Sequence, residues 1–130
     1  MKKNVRTTIA TTALTMLGVA ANVHAEVKLT SAADVLGLWS VTAEALKYDG
    51  EKKALDITWE FKEGGILNTV AKDPRTETIR VPLSYSVEDG MLVKQSVPGR
   101  QKFETCTVLK KDATSMDIKC KFLYFFLTKK

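Results

Sequence analysis

Leu55-Asp56-Ile57-Thr58-Trp59-Glu60-Phe61-Lys62-Glu63-Gly64-Gly65 is the stretch that decides the fold. Leu55, Ile57, Trp59 and Phe61 alternate with Asp56, Thr58, Glu60 and Lys62, which is the pattern of a strand with one buried and one wet face. Gly64-Gly65 then offers the positive φ angles of a tight hairpin. Downstream, Ile79, Val81, Leu83, Tyr85 and Val87 alternate with Thr78, Arg80, Pro82, Ser84 and Ser86. Pro82 lacks a ladder donor and belongs at an edge or a bulge. Turn signals recur at Asp49-Gly50, Asp73-Pro74, Asp89-Gly90, Pro98-Gly99 and the polar run from Lys110 to Ser115. They separate seven strands, beginning near Leu38, Leu55, Ile66, Thr78, Met91, Arg100 and Met116, and a bend in the last would make an eighth. Short connections imply an all-β antiparallel up-and-down barrel of seven or eight strands, because closure removes unpaired edges. Ahead of it, Leu29 to Leu36 reads as a short N-terminal helix that Thr30 or Ser31 caps and Gly37 ends.

The chain has 130 residues and a net charge of +5, but its two ends differ in composition. Residues 1–25 begin Met1-Lys2-Lys3, continue through an apolar, Thr-rich stretch and end Asn22-Val23-His24-Ala25. Val23 and Ala25 suit a peptidase that accepts small side chains before Glu26, so residues 1–25 read as a bacterial secretory signal and residues 26–130 as the mature domain. Thr11, Thr12 and Thr15 interrupt the apolar run, which falls short of the ~20 residues a membrane span needs. The expected location is therefore periplasmic or secreted, with no membrane span after cleavage. Lys2, Lys3 and Arg6 leave with the signal and no acidic residue does, so the mature charge is +2. No clustered basic footprint for a nucleic acid remains.

The only histidine, His24, leaves as well. Its loss excludes Ser-His-Asp and Cys-His nucleophiles and the common zinc sets from the mature chain. Glu44, Asp56 and Glu60 form no catalytic motif and read as solvated charge, so no enzyme, cofactor or metal is expected. If the last hairpin turns about Ala113, Cys106 faces Cys120, close enough for a disulfide. A soft copper site using both thiolates and Met116 is the alternative. Trp39, Trp59, Phe61, Tyr85, Phe122, Tyr124 and Phe126 are expected on the inner face, where aromatic residues either fill a small barrel or line a pocket. Phe122 to Leu127 is apolar on both faces, so the chain's start or a partner is expected to cover the outer one.

Several stretches together resemble a bacterial lipocalin-like (calycin) domain. They are Gly37-Leu38-Trp39 after the short helix, Ile57-Thr58-Trp59-Glu60-Phe61 running into Gly64-Gly65, and Leu83-Ser84-Tyr85-Ser86-Val87-Glu88-Asp89-Gly90 before Met91-Leu92. The resemblance implies that Trp39 closes one end of the barrel. Larger members lay an arginine from a late strand across that Trp, and here none follows Arg100. Leu29 to Trp39 also looks like the mature start of small periplasmic inhibitors of secreted bacterial metalloproteases. That likeness implies an inhibitory segment of Glu26, Val27, Lys28 and Leu29, although those inhibitors carry their Cys pair in the first half of the barrel. The expected function is thus a non-enzymatic barrel holding a small apolar molecule against Trp39, Trp59, Phe61, Tyr85, Phe122 and Tyr124. The alternative is a protein inhibitor of a secreted protease.

Overall fold

The alternation centred on Trp59 is realised as an eleven-residue strand, Lys52–Lys62. A computed structural model describes residues 26–72, 75 and 77–130; the expected signal segment and the Asp73-Pro74 turn lie outside the described residues. Eight strands follow in order: β1 (Gly37–Ala45), β2 (Lys52–Lys62), β3 (Ile66–Ala71), β4 (Ile79–Glu88), β5 (Met91–Gln95), β6 (Phe103–Lys111), β7 (Ser115–Cys120) and β8 (Leu123–Lys129). Each pairs antiparallel with the next, and β8 returns to β1 to close the barrel. The all-β up-and-down architecture expected from the sequence is present, with eight strands.

Local chemistry explains the turns. Asp89 (φ 53°) and Gly90 (φ 81°) form a two-residue connection of the kind that suits the right-handed twist of a hairpin. Pro82 lies where β4 pairs with β3 alone, because the β5 ladder begins only at Tyr85. The missing donor is tolerated along this local edge. Gln95 closes the gap: its Oε1 accepts from the Ser84 N–H at 2.7 Å, and its Nε2 donates to the Arg100 carbonyl at 2.8 Å.

The expected N-terminal helix is corrected to a single 3₁₀ turn, Ala32–Asp34. Ser31 caps it by accepting from the Ala33 N–H, while the Thr30 N–H and hydroxyl both donate to Asp34. Those bonds, the Thr30 N–H first, hold the Asp34 carboxyl below the usual carboxylate range. All three bonds satisfy groups at the start of the turn, which ends at Val35, where the backbone N–H returns to the Ala32 carbonyl.

Cys106 and Cys120 stand directly opposite in the β6–β7 ladder and are joined by a disulfide. Both thiols are consumed, so the copper alternative has no thiolates to use. The bridge spans 14 positions, a loop for which the chain-entropy account gives about 3 kcal/mol. Cys106→Ala with Cys120→Ala is expected to lower the unfolding free energy by about that amount in urea titration. An unchanged midpoint would show that the bridge adds nothing to the eight-stranded closure.

Candidate functional site

In an up-and-down barrel, alternate connections gather at opposite ends. The β2–β3, β4–β5 and β6–β7 turns share one end with the 3₁₀ turn and the chain's last residue. The β1–β2, β3–β4, β5–β6 and β7–β8 connections surround the other. The first end is the base and the second is the mouth.

The base is sealed by Trp39, 1% exposed, whose Nε1–H donates to the Val35 carbonyl at 2.8 Å. Lys129 stands opposite it in the ladder, with Nζ 4.8 Å from the indole centroid and 2.8 Å from the Leu36 carbonyl. A lysine from the last strand therefore takes the place across Trp39 that the lipocalin resemblance gives to an arginine. Gly37 makes room for it: at φ +119° it adopts a backbone that side chains resist, and a Cβ would meet Lys129 Cε at 2.9 Å.

Above the base, Trp59, Phe61 and Tyr85 form a connected interior series. Trp59 meets Phe61 edge-on at 6.1 Å, and Phe61 meets Tyr85 edge-on at 5.0 Å. The Tyr85 hydroxyl donates to the Lys62 carbonyl at 2.7 Å, and burial, chiefly, raises its pKa. These rings fill the lower barrel, each buried at 6% exposure or less.

The expected inner-face positions of Phe122, Tyr124 and Phe126 are corrected. Lys121-Phe122 is a two-residue turn with Lys121 at φ 54°, and it pairs Cys120 with Leu123. The turn reverses the phase of everything that follows. Leu123, Phe125 and Leu127 share the inner face with Cys120, Ile118 and Met116, while Phe122 stands 82% exposed at the tip. Tyr124 and Phe126 lie on the outer wall, where Tyr48 covers them with ring centroids 5.7 and 5.9 Å away. Lys52 lies 4.1 Å over the Phe126 ring, and Lys119 5.4 Å over Tyr124. Tyr48 thus covers much of the outer face, and Glu26 at the start of the described residues borders the same groove with Lys119 and Tyr124. Tyr48 is fixed by donating its hydroxyl to Asp117 at 2.7 Å, a bond that with lesser burial pushes its pKa up to about 12.

Near the mouth the inward side chains are less covered. Leu55, Ile57, Leu83 and Phe125 pack on the core from above but remain only partly buried, as does Leu123 at the rim. Just inside lies an ion pair absent from the sequence-based reading, Lys94 Nζ to Glu104 at 2.6 Å, with both side chains largely buried. The two residues face each other across β5–β6, and Lys94 lies 5.3 Å from the Trp59 ring centroid. Glu104 also gathers with Cys106 and Cys120, but the sulfurs are bonded to each other and the carboxylate to Lys94, so the trio offers no metal site. A groove of about 520 Å³ opens at the rim between Glu44, Leu46, Lys53 and Leu123. Another, about 510 Å³, lies on the outer wall of β1 to β4, lined by Leu38, Glu60, Asn68 and Arg80 among others.

The proposed inhibitory segment is seated at the barrel. The Val27 N–H donates to the Val108 carbonyl at 2.8 Å, the Leu29 N–H donates to Gly90 at 2.9 Å, and the Leu29 side chain belongs to the core. Glu26 and Lys28 project into solvent. To enter a protease cleft, Val27 and Leu29 would first have to surrender these contacts.

The eight-stranded closed barrel superposes on two solved structures. A lipocalin-like protein from Bacteroides uniformis superposes with a TM-score of 0.62 at 14% identity, over 75% of this chain and 99% of that one. The fold is lipocalin-like. An uncharacterized protein from Bacteroides eggerthii superposes with a TM-score of 0.61 at 12% identity, over 75% of this chain and 100% of that one. No protein-family model and no curated protein matches the sequence. The lipocalin-like barrel is therefore established by shape, and its chemistry rests on the residues described above.

Proposed function

We propose that this lipocalin-like barrel is a non-enzymatic, extracytoplasmic binding protein that takes a small apolar molecule at its mouth. One observation carries the reading: inward side chains are tightly buried from Trp39 to Tyr85, whereas Leu55, Ile57, Leu83, Leu123 and Phe125 leave apolar surface partly uncovered inside the wall. Partly covered apolar surface in a concave, preformed setting is what such ligands bury. Trp59 beneath them supports a role as contact and reporter, while Trp39, Phe61 and Tyr85 act by shaping the floor. The Lys94–Glu104 pair supplies a polar point for orienting a bound molecule. The disulfide suits an oxidising compartment. Among the described residues no helix is long and apolar enough to cross a membrane.

The test is titration with the apolar fluorophore N-phenyl-1-naphthylamine, read by dye emission and by quenching of tryptophan. Saturable binding is expected, weakened about tenfold or more by Leu55→Ser with Leu83→Ser, since each removes roughly 1–2 kcal/mol of apolar contact. No saturable signal, or equal affinity in a folded double variant, would overturn the proposal.

A further inference from the structure

The mouth carries most of the molecule's exposed large apolar side chains. Among the described residues these are Leu38, Leu46, Ile66, Ile79, Val97, Phe103 and Phe122. Leu46, Ile79, Val97, Phe103 and Phe122 all lie in or beside the four mouth connections, whereas Leu38 and Ile66 begin strands at the base. The two most exposed, Phe122 at 82% and Leu46 at 76%, stand on the β7–β8 and β1–β2 connections, which adjoin because β8 pairs with β1, so the apolar tips concentrate on that side of the opening.

Charge follows the same division. The mouth connections and the strand ends beside them carry Lys47, Lys52, Lys53, Lys72, Arg75, Arg100, Lys102 and Lys121 against Glu44, Asp49, Glu51, Asp73 and Glu77. At the base, Asp34, Glu63, Glu88, Asp89 and Asp112 nearly balance Lys28, Lys62, Lys110, Lys111, Lys129 and Lys130, so the positive excess is largest at the mouth. Apolar tips interleaved with cations on separate connections fit a broad, flat, negatively charged surface with an apolar layer beneath it.

We propose that the mouth rim docks on an anionic phospholipid bilayer, with Phe122 and Leu46 entering the interface and Lys47, Arg100, Lys102 and Lys121 at headgroup level. The proposal stands apart from the ligand reading, since the rim is a surface and its test needs no ligand. It gives that reading a geometry: a docked rim faces the site towards the apolar layer.

Flotation of residues 26–130, whose strands close on themselves, with phosphatidylglycerol-containing vesicles tests it. Partition is expected to exceed that on pure phosphatidylcholine by at least about tenfold and to fall with added salt. Phe122→Ser and Leu46→Ser are each expected to lower it about tenfold, while Leu38→Ser and Ile66→Ser at the base leave it unchanged. Absence of partition on anionic vesicles, rim variants that partition like the unaltered protein, or equal losses from the base variants would overturn the proposal. So would self-association abolished by Phe122→Ser, which would assign the rim to a second copy of the chain.

Discussion

Glu104→Leu alone is expected to destabilise the barrel by about 3–5 kcal/mol, because it strands the Lys94 ammonium among Trp59 and the disulfide with its partner removed. The pair lies on the inner face of adjacent strands, where side-chain exposures of 9% and 15% leave little solvent to replace the lost carboxylate. Adding Lys94→Met to Glu104→Leu removes the orphaned charge and is expected to restore most of the loss, since apolar groups of similar size commonly match a buried ion pair. Urea unfolding of the two single variants and the double variant gives the coupling directly. Equal destabilisation in Glu104→Leu and the double variant would show that the cost lies in packing and not in the uncompensated charge.

Trp39→Ala is expected to cost a similar amount, about 3–5 kcal/mol, by opening a cavity at the base. It also orphans the Val35 carbonyl and removes the ring beneath Lys129. Trp39→Phe retains much of the volume but loses the N–H, and should cost less, with about 1 kcal/mol attributable to the hydrogen bond. Thermal melts and denaturant titrations of both variants measure the difference. Similar losses in both would place the role of Trp39 in its hydrogen bond, and a negligible loss in both would mean the base is held by Val35 and Phe61 without it.

Much of this architecture was legible because it is local. Alternation at Leu55 to Phe61, Asp89-Gly90 and the symmetry of Cys106 and Cys120 about Ala113 each concern residues near one another in sequence. The β7–β8 hairpin was harder to read, because Lys121-Phe122 contains none of the Gly, Asn or Pro that normally announce a turn. Missing it inverted the faces of Phe122, Tyr124 and Phe126. Tyr48 was illegible as their cover because that contact spans the barrel wall and leaves no periodic mark. Lys94 and Glu104 did carry a signal: Lys94 keeps step with Leu92, and Glu104 with Cys106. Their charge argued for solvent, and only the three-dimensional pairing shows how both sit inside.

The seam between β1 and β8 makes the order of folding depend on β8. Lys129 reaches Leu36 across 93 positions, and the Lys130 N–H donates to Leu38 at 2.9 Å. Hairpins can assemble one after another, but closing this long loop comes at an entropic cost that nearby contacts do not share. Until β8 pairs, β1 and β7 remain raw edges and Trp39 lacks its lysine. Closure therefore rests on one strand: a chain without β8 would present two adhesive borders in place of a sealed wall.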